Sequence, residues 1–254
     1  MDKKRVALNI LAPLVGLGVF IGIWFLAAST IGFSLSLPSP AETFPKLFLL
    51  FSESSFYLAV GKTLARTLLA FLLAFLLSCL FAFLAKVSVF FRKAFSPLTV
   101  IVRVMPTISI ILLVLRFVYG RFAPIVITFI VIFPMLYTTV FNAAEQVDGN
   151  LLEMSRSYAL SMKKRIFNLY LPSMIPAILT GVSLTLSFSV KLTIAAEVLS
   201  ATQESMGLYM QMAYSIIQTD VLLAWTLAAI LLGFVLEGLV LLIRKLIVRH
   251  YHGM

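Results

Sequence analysis

Among the polar and charged side chains inside the long apolar runs of the sequence, four are candidates for a functional role. Ser187, Lys191 and Glu197 belong to one run, and Glu237 belongs to the last run. A charge at the centre of a bilayer costs at least about 2.5–3.5 kcal/mol on insertion scales, so such residues mark a solute pathway or an ion pair. Lys191 is therefore either a cationic group lining a passage for a polar or anionic solute, or the partner of Glu237 in a structural ion pair.

Motifs for nucleotide binding, metal binding and nucleophilic catalysis are absent from the sequence. Gly61-Lys62-Thr63 has the form of the end of a phosphate-binding loop, but that motif needs another Gly where Phe56 stands. The two His residues, His250 and His252, lie in the C-terminal tail and predict no metal site. The single Cys, Cys79, cannot form an intrachain disulfide. We predict that this chain has no catalytic residue and binds no metal or cofactor.

The composition indicates a lipid environment. Of the 254 residues, 61% are hydrophobic and 12% are charged, whereas about a quarter of the residues of a soluble domain are charged. Mean hydropathy is +1.08, and apolar runs of the roughly 20 residues needed to cross a bilayer recur along the chain. The excess of 20 Lys+Arg over 10 Asp+Glu collects at the ends of these runs. That pattern is a topology signal and argues against a nucleic-acid partner.

Six membrane spans are predicted, so the fold class is an all-α membrane protein forming one transmembrane domain over residues 1–254. Pro106, Pro124 and Pro134 lie within or at the start of spans three and four, where each removes a backbone donor and permits a bend. The predicted spans cover residues 9–31, 62–85, 97–118, 123–143, 176–199 and 222–246.

The basic residues predict which segments face the cytoplasm, because Lys and Arg are enriched on that side of membrane proteins. With six spans, one side receives both termini and the connection between spans four and five. The N-terminal apolar run is too long for a signal peptide, so we interpret it as an uncleaved first span. The basic residues on the predicted cytoplasmic side are Lys3, Lys4, Arg5, Lys86, Arg92, Lys93, Arg156, Lys163, Lys164, Arg165, Arg244, Lys245 and Arg249.

The connection between spans four and five, at about residues 144–173, is longer and more polar than a minimal link between membrane helices. Asn150 is predicted to be a helix N-cap, and Glu153 completes a capping box by reaching back to its backbone N–H. A first short helix follows, and a second begins near Ser161 and ends before Pro172. The loop is either a solvated connection or a docking element for a soluble partner.

The same loop resembles the coupling loop of ABC-importer permeases, whose signature is Glu-Ala-Ala, a later Gly and an apolar-Leu-Pro ending. Glu153 opens the motif and Leu171-Pro172 closes it, while Met154, Ser155 and Ala159 replace the two Ala and the Gly. Small Ser155 and Ala159 keep the close-packing character. By this resemblance, the residues assigned to ATPase coupling are Glu153, Met154, Ser155, Arg156, Ser157, Tyr158, Ala159, Leu160 and Ser161.

Other segments resemble the nitrate/sulfonate/taurine branch of these permeases, a branch that is similar to permeases for thiamine-precursor pyrimidines as well. The resemblance covers nearly the whole chain. It implies the type I ABC-importer permease fold with a cytoplasmic coupling-helix loop, in a bacterial cytoplasmic membrane. The segments are Leu37-Pro38-Ser39-Pro40, Met105-Pro106, Ala195-Ala196-Glu197, Met206-Gly207-Leu208-Tyr209 and Gln218-Thr219-Asp220.

The resemblance also implies the partners. Two permease subunits, expected to be identical, surround the translocation pathway, and each coupling helix inserts into a groove of a cytoplasmic ATPase dimer that binds ATP and Mg. A solute-binding protein on the outer side delivers the substrate. Closure of the ATPase dimer drives alternating access of the central cavity. The expected solute is small and polar, such as a sulfonate, taurine, nitrate or a vitamin precursor.

Two other functional classes compete with this interpretation. A secondary transporter or channel subunit would need its own coupling ions and usually a repeated architecture, and the sequence shows neither a repeat nor a chain of membrane carboxylates. A membrane-embedded enzyme would need clustered His or acidic residues at one membrane face. The sequence favours a translocation subunit whose partner hydrolyses ATP. Its candidate pathway or ion-pair residues are Lys191, Ser187, Glu197 and Glu237.

Overall fold

The computed structural model describes residues 3–31 and 37–252, and the side chains at residues 3–10, 31, 152, 156, 162 and 248–252 lie outside the described set. Within these ranges the secondary structure is helical and contains no strand. The helices are α1 (Lys3–Ile31), α2 (Pro40–Leu50), α3 (Ser54–Val87), α4 (Val89–Val104), α5 (Thr107–Leu115), a 3₁₀ turn (Gly120–Phe122), α6 (Ala123–Glu145), α7 (Gly149–Ser157), α8 (Met162–Arg165), a π-helical turn (Ile166–Tyr170), α9 (Leu171–Ser200), α10 (Met206–Ser215) and α11 (Thr219–His252).

Five helical segments of the described chain are long and apolar enough to cross a bilayer, and a sixth span is obtained if α4 and α5 are counted together. Predicted spans one, two, four, five and six each lie within one helix, namely α1, α3, α6, α9 and α11. The prediction of an all-helical membrane protein with about six spans is confirmed.

The third predicted span, residues 97–118, is divided between α4 and α5, with the break at Pro106, where a bend was predicted to be possible. α4 and α5 are bent by 97° where they meet. Met105 has an extended backbone conformation, with φ −62° and ψ 131°, which a following Pro favours. Pro106 has no N–H with which to continue the hydrogen-bond ladder of α4. Pro134, in contrast, lies inside α6 without ending it.

The chain divides into two compact units. The first comprises Met1–Leu58 and Tyr209–Ala228, and the second comprises Ala59–Leu208 and Ala229–Met254. In the first unit, Trp225 is buried, and the ring of Tyr209 stacks on it with the centroids 5.0 Å apart. Phe56 lies on the same indole at 5.3 Å. These aromatic contacts join the first turns of α3, α10 and α11.

In the second unit, α6 and α9 pack together as an antiparallel pair. Thr128 Oγ1 and Thr193 Oγ1 are hydrogen-bonded at 3.0 Å. Further along the pair, a Cβ added to Gly181 would lie 2.2 Å from Thr139 Cγ2. Residue numbers rise along α6 as they fall along α9, which establishes the antiparallel direction. The missing side chain at Gly181 lets the two helices approach closely.

Aromatic packing joins α3, α4 and α6 near the end of α6. Phe81 and Phe95 have ring centroids 4.9 Å apart, and Phe95 meets Tyr137 edge to face at 5.2 Å. Such pairs stabilise by about 0.5–1.5 kcal/mol beyond the burial of their area. The helices that lead into the α6–α9 connection are therefore held in one packed cluster.

Candidate functional site

The connection between α6 and α9 contains the predicted coupling helix, but its cap differs from the prediction. α7 begins at Gly149, and the backbone N–H of Asn150 donates to Asp148 Oδ1 at 2.9 Å. Asp148 is therefore the N-cap, and the predicted capping box between Asn150 and Glu153 is wrong. A carboxylate two residues before Asn150 reaches the first free N–H groups and also faces the positive end of the helix dipole.

The second helix of the loop does not end before Pro172, and that prediction is wrong as well. α8, the π-helical turn and α9 follow one another without a break from Met162 to Ser200. Pro172 cannot donate to the carbonyl group one turn earlier, and its ring needs room there. The wider π-helical turn, Ile166–Tyr170, immediately precedes it and supplies that room. The loop therefore connects rigidly to α9.

α7 and the residue directly after it present two large side chains to the surroundings, and α7 buries a small one. Tyr158 is 74% exposed, Met154 is 49% exposed and Ser155 is fully buried. Tyr and Met are enriched at protein interfaces, and a buried Ser allows α7 to pack closely against its own chain. The side chain of Arg156 lies outside the described residues, and Leu160 is half-buried. The exposed members of the predicted coupling set are Glu153, Met154, Ser157, Tyr158, Ala159 and Ser161.

Ala159 occupies the position where the coupling-loop signature has Gly, and its backbone explains that preference. Its φ of 49° lies in the left-handed region, which a side chain disfavours and Gly adopts freely. The chain reverses there between α7 and α8, and the guanidinium Nε of Arg165 donates to the Leu160 carbonyl across the turn at 3.0 Å. The departure from Gly therefore leaves the turn intact but strained.

A charged cluster fixes the end of α6 from which the loop departs. Glu145 is the last residue of α6, and its Oε1 accepts from Lys86 Nζ at 2.5 Å. The guanidinium of Arg92 lies 3.9 Å from Glu145 Oε2. Lys86 ends α3 and Arg92 begins α4, so three helices share one ionic contact beside the loop.

The structure separates the predicted pathway residues into two groups. Lys191 is exposed and Glu237 is half-buried, and no ion pair joins them among the side chains that the structure describes. The alternative of a Lys191–Glu237 pair within one chain therefore has no geometric support. Ser187 lies on the same helix as Lys191, four residues earlier, and its Oγ is buried without a hydrogen-bond partner.

Glu197 has a different environment, because it is fully buried and densely bonded. Its Oε1 accepts from Arg66 Nη1 at 2.9 Å, and its Oε2 accepts from Thr63 Oγ1 at 2.9 Å and from the Gly207 N–H at 3.3 Å. A buried carboxylate is tolerated when charge and hydrogen bonds replace its lost hydration. The geometry therefore supports the ion-pair alternative for Glu197.

Gly207 is required by the same cluster. A Cβ on Gly207 would lie 2.5 Å from Glu197 Cβ, 2.6 Å from Val198 N and 2.7 Å from Ile194 O. Two of these are backbone atoms, which cannot move aside. The sequence analysis named Gly207 only through resemblance and did not single out Arg66 or Thr63 as partners of Glu197. Their spacing of three residues on one helix face was the only local signal available.

No metal or nucleophilic centre accompanies these residues in the part of the chain that is described. No group of three or more His, Cys, Asp or Glu side chains is placed to hold a metal ion there. The side chains of His250 and His252 lie outside the described residues. What the described geometry offers is a set of helices long enough to span a bilayer, a short helix with exposed side chains and the exposed Lys191 on α9.

A family comparison agrees with this geometry. The model for binding-protein-dependent transport system inner membrane components matches residues 74–249, which is more than half of the chain. The chain belongs to this family. It is an inner-membrane transport permease, and the match includes the whole of α7, α9 and the turn between them. The resemblance inferred from the coupling loop is confirmed.

Two relatives show which branch the permease is similar to. It is 26% identical to the taurine transport system permease protein TauC of Escherichia coli (strain K12) over 245 residues, or 93% of this chain and 88% of the relative. It is 24% identical to the formylaminopyrimidine transport permease protein ThiX of Halalkalibacterium halodurans over 169 residues, or 66% of this chain and 67% of the relative.

A solved structure supports the fold. An inward-facing conformation of the MetNI methionine ABC transporter aligns with a TM-score of 0.57 at 19% identity, covering 72% of the permease and 93% of that chain. The importer permease fold that the sequence implied is therefore confirmed.

Proposed function

We propose that the permease forms the translocation pathway of an ATP-driven importer and that a separate cytoplasmic ATPase docks on α7. The observation that carries the proposal is that Met154 on α7 and Tyr158 directly after it are exposed, while Ser155 is buried. Large apolar side chains on a short polar helix fit a groove on a soluble partner. The unbroken helical path from α8 into α9 gives such docking a mechanical route into a spanning helix.

The proposal extends to the assembly and the solute. Two copies of the permease enclose the pathway, both termini and α7 face the cytoplasm, and a solute-binding protein delivers the substrate outside. ATP and Mg bind to the ATPase subunits. Similarity to a taurine permease over most of both chains favours a small sulfonate, with taurine as the first compound to test.

Docking can be tested by co-purification. The permease is expressed with a candidate ABC ATPase from the same genome, and the ATPase recovered per permease is measured in detergent. We expect Tyr158→Ala to reduce recovery at least about tenfold, because large buried aromatic side chains dominate many interfaces. Tyr214→Ala is the matched control, since Tyr214 is also 74% exposed but lies on α10. Equal loss in both variants would contradict docking on α7.

Coupling is tested in proteoliposomes containing permease, ATPase and binding protein, with labelled taurine outside. Glu153→Ala should abolish solute-stimulated ATP hydrolysis while the permease still inserts and purifies. Because Asp148 caps α7, this substitution does not remove the helix cap. Wild-type stimulation in Glu153→Ala would refute the coupling assignment, and taurine uptake without ATP would indicate a secondary transporter.

A further inference from the structure

One narrow stripe of α9 remains open in the structure, and it carries a cation. Between Ser183 and Glu197, the exposed residues are Leu184, Lys191 and Ala195. Their spacing of seven and four residues places them on one face of the helix. Lys191 lies more than two helical turns before Ser200, where α9 ends. The ammonium group therefore does not simply extend past the end of the span.

A second polar group without a partner lies beside this cation. Ser187 Oγ is buried and has no hydrogen-bond partner among the described residues, whereas other hydroxyl groups nearby are satisfied. Ser189 donates to the Thr185 carbonyl at 2.6 Å, and Thr193 bonds Thr128 at 3.0 Å. Ser187 precedes Lys191 by four residues, which puts their Cβ atoms about 5–6 Å apart on one helix face.

We infer that Ser187 and Lys191 form a binding site for an anionic oxygen group of the translocated solute, such as a sulfonate or carboxylate. This inference rests on the proposed import function and assigns the pathway to the open stripe of α9. An anionic oxygen accepts a charge-assisted hydrogen bond from the ammonium group and a further bond from the Ser187 hydroxyl. One ligand group thus satisfies both orphaned donors.

Two other environments for the stripe are less favourable. Hydrocarbon would leave a full charge and a hydroxyl without partners, which membrane helices avoid by turning such groups toward protein or water. A carboxylate from a second subunit would supply the same chemistry as the solute. The two sources differ in one measurable respect, because a protein carboxylate neutralises Lys191 permanently and a passing solute leaves it free to attract anions.

The test uses charged thiol reagents on the full permease with its ATPase in permeabilised membranes. In a Cys79→Ser background, Ser187→Cys is treated with sulfonatoethyl methanethiosulfonate or with trimethylammonioethyl methanethiosulfonate. Both reagents form a mixed disulfide with the thiolate and release methanesulfinate, so they differ mainly in the sign of their charge. The ratio of the two labelling rates cancels any effect of Lys191 on thiolate formation.

With Lys191 present, we expect the ratio of the anionic to the cationic labelling rate to be at least about tenfold higher than for the free reagents. A cation within one helical turn attracts the anionic reagent and repels the cationic one. Lys191→Met should lower the ratio to that of the free reagents, and Lys191→Arg should preserve it. Lys245→Met is the matched loss of one positive charge on α11 and should leave the ratio unchanged.

Each remaining outcome overturns the inference. No labelling of Ser187→Cys by either reagent would mean that the buried Ser187 position never opens to an aqueous pathway, so it cannot bind a passing solute. A ratio that does not respond to Lys191→Met would mean that a protein carboxylate already neutralises the cation. Failure of the ATPase to co-purify would refute the importer proposal and leave the labelling ratio interpretable, so the two failures are distinguishable.

Discussion

At the scale of single residues, two positions carry strain or a buried ionic contact. Ala159 holds a left-handed backbone, with φ 49°, at the turn after α7, and Glu197 holds a full charge in a buried cluster. Both conformations persist because neighbouring contacts compensate them. Each therefore makes a direct prediction for substitution.

Ala159→Gly should stabilise the turn by about 0.5–2 kcal/mol, because relief of left-handed strain exceeds the extra entropy of an unfolded Gly. Hydrogen–deuterium exchange of α7 and the following turn should slow in Ala159→Gly. It should accelerate in Ala159→Val, since a β-branched residue is least compatible with positive φ. Faster exchange in Ala159→Gly would show that the turn is not strained.

Arg66→Met should destabilise the permease by about 3–5 kcal/mol, because it leaves the buried Glu197 charge without its cation. Adding Glu197→Gln should restore most of the loss, since the amide oxygen still accepts from Thr63 and Gly207. Thermal unfolding in detergent measures both. Lys62→Met is the control, because the Lys62–Glu204 pair is exposed and such pairs contribute about 0–1 kcal/mol. Equal effects of Arg66→Met and Lys62→Met would exclude a buried ionic cluster.

At the scale of elements, the antiparallel contact between α6 and α9 organises the second unit and links the loop to the Lys191 stripe. The helices approach where Gly181 meets Thr139 and are hydrogen-bonded where Thr128 meets Thr193. Small residues at a helix contact are typical of membrane proteins, in which packing replaces the hydrophobic effect.

Gly181→Ala should destabilise the permease by about 1–3 kcal/mol, because the new methyl group overlaps Thr139 and forces α6 and α9 apart. Thr139→Ala should rescue much of this, since it removes Cγ2 and Oγ1, the two closest atoms. Gly233→Ala on α11 is the control, because nothing lies within 4 Å of its added Cβ. Unfolding temperatures in detergent report the effect, and absence of rescue by Thr139→Ala would place the clash elsewhere.

At the scale of the whole molecule, orientation in the membrane determines whether α7 can meet a cytoplasmic ATPase. Lys163, Lys164 and Arg165 make α8 strongly basic, and basic connections remain on the cytoplasmic side. Lys62 lies on α3 at the opposite predicted side. The two positions therefore provide an inside and an outside probe on one chain.

In a Cys79→Ser background, a membrane-impermeant maleimide applied to intact cells should label Lys62→Cys and spare Lys164→Cys. Lys164 is exposed and the Lys62 side chain is 43% exposed, so labelling reports sidedness rather than burial. Permeabilised cells should show labelling of Lys164→Cys as the positive control. Labelling of Lys164→Cys from outside intact cells would reverse the orientation and exclude docking of α7 to a cytoplasmic ATPase.

The sequence by itself determined the features that depend on local composition. An apolar run about 20 residues long predicts a span wherever it occurs, so five of the six spans fall within observed helices. The basic clusters and the Glu153–Pro172 segment located the coupling loop and its family. The departure from Gly at Ala159 was visible in the sequence, although the left-handed turn that explains it was not.

Only the tertiary structure decided the features that join distant parts of the chain. Arg66 and Glu197 are 131 residues apart in the sequence, and no local sequence pattern predicts which cation pairs with a buried carboxylate. The size of the 97° bend at Pro106 could not be read from the proline alone, because Pro134 removes the same donor and leaves α6 continuous. Local sequence sets whether a helix forms in a bilayer, whereas the partner of each polar group depends on how the helices pack.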